Sequence, residues 1–186
     1  MRELREQVAQ EHPQFAHDFT RQRLICLARA LSASGDDPAH AQPAFEALYL
    51  ERNRVRFYDD VLPALDALGA CYPLAALTNG NADLSRIGIR ARFAVVVTAR
   101  ELGVAKPERA IFEHTAGLLG VAPAEVLHVG DDPWLDVAGA ARAGMRTCWV
   151  DRKKAGWPDD LVPADLVVDT LDALVAVLAC EPAKLC

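Results

Sequence analysis

From residue 58 onward, short apolar runs alternate with segments of helical periodicity, and no other property of the chain constrains its fold as strongly. Leu74 to Leu77, Phe93 to Val97, Val126 to Val129 and Thr147 to Val150 read as buried strands, with Leu166 to Val168 a weaker candidate. Helical patterns fall between most of them, at about 61–69, 108–120, 133–143 and 171–179. Alternation of this kind specifies a Rossmann-like α/β domain, a doubly wound parallel sheet covered by helices. Ligands of such sheets bind outside the carboxyl ends of the strands, so the residues that follow each run are the ones to read for chemistry.

The segment before residue 58 has a different character. Phe15, Phe19, Leu24, Leu27 and Leu31 recur close to one helical face, and the pattern stops near Ser34-Gly35-Asp36-Asp37-Pro38. A second helix fits Ala44, Leu48 and Val55 on one stripe. The sequence thus divides into a helical region, 1–57, and an α/β region, 58–186. With 52% apolar residues there is ample material for a core, and a net charge of −6 argues against nucleic acid as a partner. No apolar run reaches the roughly 18 residues that span a bilayer, so no membrane partner is expected. The five cysteines show no C-x-x-C pair and no clustering with histidine, so neither a zinc site nor a disulfide framework is expected. Together with the charged N-terminus, this sets the expectation of a reduced, cytoplasmic location.

Three strand ends carry polar residues suited to one task. After the first run comes Thr78-Asn79-Gly80-Asn81, a hydroxyl and an amide beside a glycine that lets the backbone approach an anion; the same letters also describe a plain turn. After the second comes Lys106-Pro107 at a helix entrance, where an ammonium can meet a phosphate beside free amide donors, or simply face solvent. After the third comes Gly130-Asp131-Asp132, with Asp136 four residues beyond. Hard cations such as Mg²⁺ take carboxylate oxygens, so Asp131, Asp132 and Asp136 are the candidate metal ligands, with Asp136 alternatively placed to orient Lys106 or a metal-bound water. Acidic residues also favour a helix start, but that accounts for one aspartate better than for three.

Thr78, Lys106 and Asp131, each after a separate strand of one sheet, resemble the motif set of the haloacid dehalogenase superfamily. The resemblance covers essentially the whole chain. Within the superfamily, Leu77-Thr78-Asn79-Gly80-Asn81, Leu127-His128-Val129-Gly130-Asp131-Asp132 and His17-Asp18-Phe19-Thr20-Arg21-Gln22-Arg23 are similar to the branch that includes flavin mononucleotide phosphatases. The resemblance implies that residues 1–57 form a small helical cap beside the sheet. It also implies Mg²⁺-dependent hydrolysis of a small phosphate monoester through an aspartyl-phosphate. Thr78, Asn79 and Lys106 would hold the phosphoryl group, Thr78 and Lys106 would serve catalysis, and Asp131 would ligate the metal. Arg21 and Arg23 of the cap region are candidates for contact with an anionic leaving group, although charges on such a helix commonly face solvent.

One element that the resemblance requires is missing. The nucleophile and general acid belong to an Asp-x-Asp at the end of a first, central strand, and the sequence contains no such motif; Asp36-Asp37 and Asp59-Asp60 follow no apolar strand. The expectation is a chain that does not turn over alone, binds Mg²⁺ weakly or not at all, and belongs to a longer polypeptide starting upstream. Orphaning the backbone groups of two flanking strands costs about 1 to 3 kcal/mol per buried group. The alternatives to a longer polypeptide are that the flanking strands close up or that another segment fills the gap. Exposed strand edges also invite association, which makes a dimer compatible with the sequence. Two other functions fit: a non-catalytic protein that binds a phosphorylated ligand or a partner, and a 2-haloacid dehalogenase, against which the acidic metal-type motif counts. FMN, a nucleotide and a sugar phosphate fit the phosphatase reading about equally.

Overall fold

Side-chain caps written into the sequence set the starts of several helices, Asp18, Asp83, Thr98 and Thr170 among them. The computed structural model describes residues 2–179, which divide into two compact units. Among the described residues the first comprises 2–55, Thr78–Ile89 and Thr98–Ala105; the second comprises Arg56–Leu77, Arg90–Val97 and 106–179.

In the first unit, α1 (Arg2–Glu11), α2 (Phe19–Ser34) and α3 (Ala41–Arg52) pack through Val8, Cys26, Ala41 and Phe45. Asp18 caps α2 by accepting from the Arg21 amide at 3.0 Å, and Gly35 ends it with φ of +81°, a conformation that only glycine adopts cheaply. The expected stripe on α3 is wrong. Ala41 and Phe45 are buried, Leu48 is 47% exposed, and Val55 lies beyond the helix. Phe45 stacks on Tyr49 one turn on, so the aromatic pair decides which face turns inward.

The second unit carries the α/β architecture. The helix α4 (Val61–Cys71) leads into β1 (Ala75–Thr78), whose last residue belongs to the first unit. Along the chain then come α5 (Leu84–Ile87), β2 (Val95–Thr98), α6 (Ala99–Leu102), α7 (Arg109–Leu119) and β3 (Leu127–Gly130). A π-helical turn, Pro133–Ala138, runs into α8 (Gly139–Arg142), followed by β4 (Arg146–Val150), β5 (Leu166–Val168) and α9 (Leu171–Val177). Each expected strand is present within one or two residues. Parallel pairing joins β3 to β4 and β4 to β5, with Val129 opposite Cys148 and Cys148 opposite Leu166.

The core of this unit gathers Leu68, Cys148, Val150, Val168 and Leu174. Burying a side chain such as Leu174 contributes about 1.5 to 3 kcal/mol. Asp60 joins distant parts of the chain: its Oδ2 accepts from Arg152 and from the Leu171 amide, each at 2.7 Å. Asp37 likewise does structural work, accepting from the Ala39 amide at 2.9 Å. Of the five cysteines, from which no disulfide framework is expected, Cys26 and Cys148 are buried free thiols and Cys71 is disulfide-bonded. Cys180 and Cys186, counted in that expectation, lie outside the described residues.

The strands form two sheets. One holds β1 and β2; the other holds β3, β4 and β5 in that order. The strands ending at Thr78 and Gly130 are therefore not hydrogen-bonded to each other, and the closing-up allowed by the sequence does not occur.

Candidate functional site

The acidic run after β3 is shaped by its own backbone requirements. Asp132 turns its carboxylate back to cap the following turn, accepting from the amides of Trp134 at 2.9 Å and Leu135 at 2.8 Å. Pro133 stands at the first position, where no amide is needed. The Val137 amide reaches the Asp132 carbonyl at 3.3 Å, giving the wide π winding. Such turns recur at functional sites.

Asp136, on that turn, is 5% exposed. Its Oδ1 accepts from Lys106 Nζ at 2.5 Å and lies 3.4 Å from His128 Nε2, and its Oδ2 accepts from the Asp132 amide at 3.1 Å. Lys106 Nζ also donates to the carbonyl of Leu77 at 3.3 Å. Four segments of the second unit thus converge: the end of β1, the residue before a cis Lys106–Pro107 peptide, β3 and the π turn. Burial would by itself raise the Asp136 carboxyl. The hydrogen bond from His128 and the neighbouring Lys106 ammonium outweigh it and hold the group well below the usual carboxylate range. The result is a fixed carboxylate that orients an ammonium at the carboxyl end of a strand.

Two glycines make this close packing available. A β-carbon on Gly130 would lie 2.3 Å from Asp136 Cγ, and one on Gly139 would meet Phe112 at 2.8 Å and Pro107 Cα at 3.1 Å. Phe112 in turn meets the His128 ring edge-on, with centroids 5.1 Å apart.

The three aspartates therefore do three different jobs. Asp136 is engaged with Lys106 and His128, Asp132 is a helix cap, and Asp131 is exposed, its carbonyl accepting from Trp149 Nε1 at 3.1 Å. Among the described residues no three His, Cys, Asp or Glu side chains are grouped to hold a metal ion. Of the three candidate ligands, Asp136 takes its alternative place beside Lys106 and Asp132 caps the turn, which leaves the exposed Asp131 as the carboxylate that can face a hard cation.

The remaining candidates lie in the first unit. Thr78 Oγ1 accepts from the Gly80 amide at 2.8 Å, so Thr78, Asn79 and Gly80 form the turn that was one of the two readings of this segment. Asn81 donates from its side chain to Thr20 Oγ1 at 3.1 Å and accepts from Arg23. Arg23 is partly buried; burial lowers its pKa, and the charges of Arg52 and Arg5 lower it further. Arg21 is exposed and lies over the Phe15 ring at 5.0 Å, apart from that group.

His128 and the Leu77 carbonyl were not singled out from sequence. His128 carried a signal, being the one polar residue in the apolar run Val126-Leu127-His128-Val129, where a buried side chain must find a partner. The carbonyl carried none.

Residues 2–144 match the family model for haloacid dehalogenase-like hydrolases. The chain is similar to the 5-amino-6-(5-phospho-D-ribitylamino)uracil phosphatase YigB of Escherichia coli, at 31% identity over 96% of this chain and 78% of that protein. It is also similar to a phosphoserine phosphatase of Thermus thermophilus, at 39% identity over 66% of this chain and 52% of that protein. Among solved structures it resembles a 2-haloacid dehalogenase from Pseudomonas syringae, with a TM-score of 0.83 and 35% identity over 95% of this chain and 78% of that one.

Proposed function

The chain belongs to the haloacid dehalogenase-like hydrolases, and from that membership we propose that it forms the phosphate-handling part of an Mg²⁺-dependent phosphatase for small phosphate monoesters. The observation that carries the reading is the Lys106–Asp136 pair. A lysine fixed by a buried carboxylate presents a positive charge at a defined point without its own conformational search. Such a preorganised charge stabilises negative charge that develops on a phosphoryl group, an effect commonly worth 10²- to 10³-fold for one donor. Asp136 positions Lys106, and His128 steadies Asp136 from the neighbouring strand.

Thr78 and Asn79, which follow Leu77 directly, are assigned to the phosphoryl oxygens, and Asp131 to one ligand position of Mg²⁺. The metal would supply further charge neutralisation when bound. The aspartyl nucleophile and the second acid belong to an Asp-x-Asp strand that these residues do not contain, so turnover requires that strand. Residues 1–57 are assigned as the cap that selects the leaving group, with Arg23 its leading contact. The similarity to a phosphatase of a phosphoribitylaminouracil favours a substrate of that kind or FMN, with a nucleotide or sugar phosphate as further members of the class. Action in the cytoplasm is part of the same proposal; no helix among the described residues is long and apolar enough to cross a membrane.

A second reading, 2-haloacid dehalogenase, draws on the 0.83 TM-score to an enzyme of that name. The two separate on one assay pair. An aryl phosphate and 2-chloropropionate are given to a fusion that restores an apolar strand ending in Asp-x-Asp, with and without Mg²⁺. Phosphate release that needs Mg²⁺ supports the phosphatase; metal-independent chloride release supports the dehalogenase and overturns it.

A further inference from the structure

In the first unit, Arg29, Arg54, Arg86 and Arg100 each face a carboxylate, of Glu11, Glu51, Asp83 and Asp18 respectively. Arg5, Arg23 and Arg52 have no carboxylate partner among the described residues, although the chain as a whole is acidic, with a net charge of −6. These arginines also converge. Arg23, half-buried on α2, donates to Oδ1 of Asn81, whose side-chain amide donates in turn to Thr20 Oγ1 at 3.1 Å, on the same face of that helix. The guanidinium of Arg52, at the end of α3, reaches the same turn at Gly80, where a β-carbon would lie 3.5 Å from its Nη2 and 3.1 Å from Thr78 Oγ1. Burial lowers the pKa of Arg23, and the nearby charges of Arg52 and of Arg5 on α1 lower it further.

Like charges gathered in this way repel one another until an anion sits among them. A carboxylate of the chain would serve a purely structural arginine, as Glu11 serves Arg29. Here the partner of Arg23 is instead a neutral amide, which fixes the plane of the guanidinium and leaves its charge in place. A guanidinium carries five N–H donors in a rigid fork, so donors remain for a ligand. Such a fork matches the oxygens of a carboxylate or a phosphate, whereas a neutral ligand leaves the repulsion standing. Glycine at position 80 keeps the space beside Arg52 free of a side chain.

We infer that Arg23 and Arg52, with Arg5 adding charge, form an oxyanion site on the first unit that takes a carboxylate or phosphate group of a small molecule. The site is additional to the phosphoryl position assigned to Thr78, Asn79 and Lys106. Arg23 thereby acts on a defined chemical group, with Arg52 as its partner, rather than on a leaving group in general. The group has two sources, a second substituent on the substrate or a free anion, and both bring the same oxygens to the same donors. Binding of this kind does not depend on hydrolysis, so it stands or falls separately from the proposed reaction.

The test follows the ¹⁵N-labelled 186-residue chain through the side-chain Nε–Hε signals of its arginines, at constant ionic strength. Inorganic phosphate should shift the signals of Arg23 and Arg52 saturably. Arg23→Gln and Arg52→Gln should each weaken that binding by about ten-fold or more, the scale of a lost charge-assisted hydrogen bond. Arg54→Gln, which removes a neighbouring exposed charge, should change it by less than about three-fold. The shifts should persist when Lys106→Met and Asp136→Leu together remove the charge pair of the proposed reaction. Phenyl phosphate and 4-carboxyphenyl phosphate, which differ by one carboxylate, separate the two sources. Tighter binding of the second that Arg52→Gln abolishes makes the oxyanion part of a substrate; equal binding of the two, with phosphate still shifting both arginines, makes it a free anion. Arg52→Gln, at an exposed side chain, and the unaltered chain remain decisive if Arg23→Gln fails to fold. The inference is overturned by absence of a saturable shift at Arg23 and Arg52, or by binding that both Gln variants leave unchanged. An equal loss in Arg54→Gln, or disappearance of the shifts in a folded Lys106→Met, Asp136→Leu variant, overturns it as well.

Discussion

Asp136 occupies the space beside Gly130 so closely that a β-carbon there would sit 2.3 Å from its carboxyl carbon. The glycine that ends β3 is thus what allows a carboxylate from the next turn to fold back beneath the strand. Replacing it should disturb the charge pair and the packing at once. Gly130→Ala is expected to cost about 1 to 3 kcal/mol through overpacking. For a chain of this size that lowers the melting temperature by about 2–4 °C per kcal/mol. Calorimetry checks it; an unchanged transition would mean that the turn relaxes freely.

Lys106 and Asp136 share a mostly buried environment, which makes their contributions strongly coupled. Asp136→Ala strands an ammonium and should cost about 3 to 5 kcal/mol, the range for breaking a buried pair. The double variant Lys106→Met with Asp136→Leu should recover part of that loss, with a coupling of about 0.5 to 3 kcal/mol in a double-mutant cycle of urea unfolding. Simple additivity of the two changes would contradict the pairing.

The separate duties of Asp131 and Asp132 give a second contrast. Asp132→Ala removes a helix cap and should destabilise by about 1 kcal/mol. Asp131→Ala, at an exposed side chain, should remain within about 0.5 kcal/mol of the parent. Thermal unfolding of the two variants side by side reads the difference, and equal losses would show that Asp131 is structural too.

Acid should find Asp60. Burial acts to raise its carboxyl, but the hydrogen bonds from Arg152 and the Leu171 amide together bring it below the ordinary value. A group with a lowered folded pKa binds fewer protons when folded than when unfolded, so it stabilises above the unfolded value near ~3.9 and that contribution drains away as pH falls below it. Asp60→Asn should therefore reduce stability at neutral pH and flatten the acid side of the curve. Melting temperature followed from pH 7 to 2 tests this, and parallel curves for parent and variant would refute it.

Much of this architecture is legible in the residues alone. The five apolar runs became five strands because each is flanked by turn or cap residues that leave little freedom over where it starts and stops. Asp132 after β3 and Thr170 after β5 are examples. The stripe on α3 was misread because apolar residues occur on several faces of that helix, and the stacked Phe45 and Tyr49 rather than periodicity select the buried one. The aspartate run was read as metal ligands, with Asp136 alternatively orienting Lys106, because sequence records that carboxylates are near one another but not what each one accepts. Asp132 satisfies backbone amides, and Asp136 meets Lys106 from 30 residues away. The partnership of His128 with Asp136, eight residues apart across the strand end, is likewise a product of the fold.

The central claim is that Lys106, held by Asp136, is the charge-stabilising half of a phosphatase site that needs an Asp-x-Asp strand to act. The most direct measurement is Mg²⁺-dependent hydrolysis of an aryl phosphate by the 186-residue chain, by the strand-bearing fusion, and by the fusion with Lys106→Met. The account expects no turnover from the chain alone, turnover from the fusion, and a loss of about 10²- to 10³-fold on removing Lys106. Turnover by the chain alone that Asp131→Ala abolishes would contradict it.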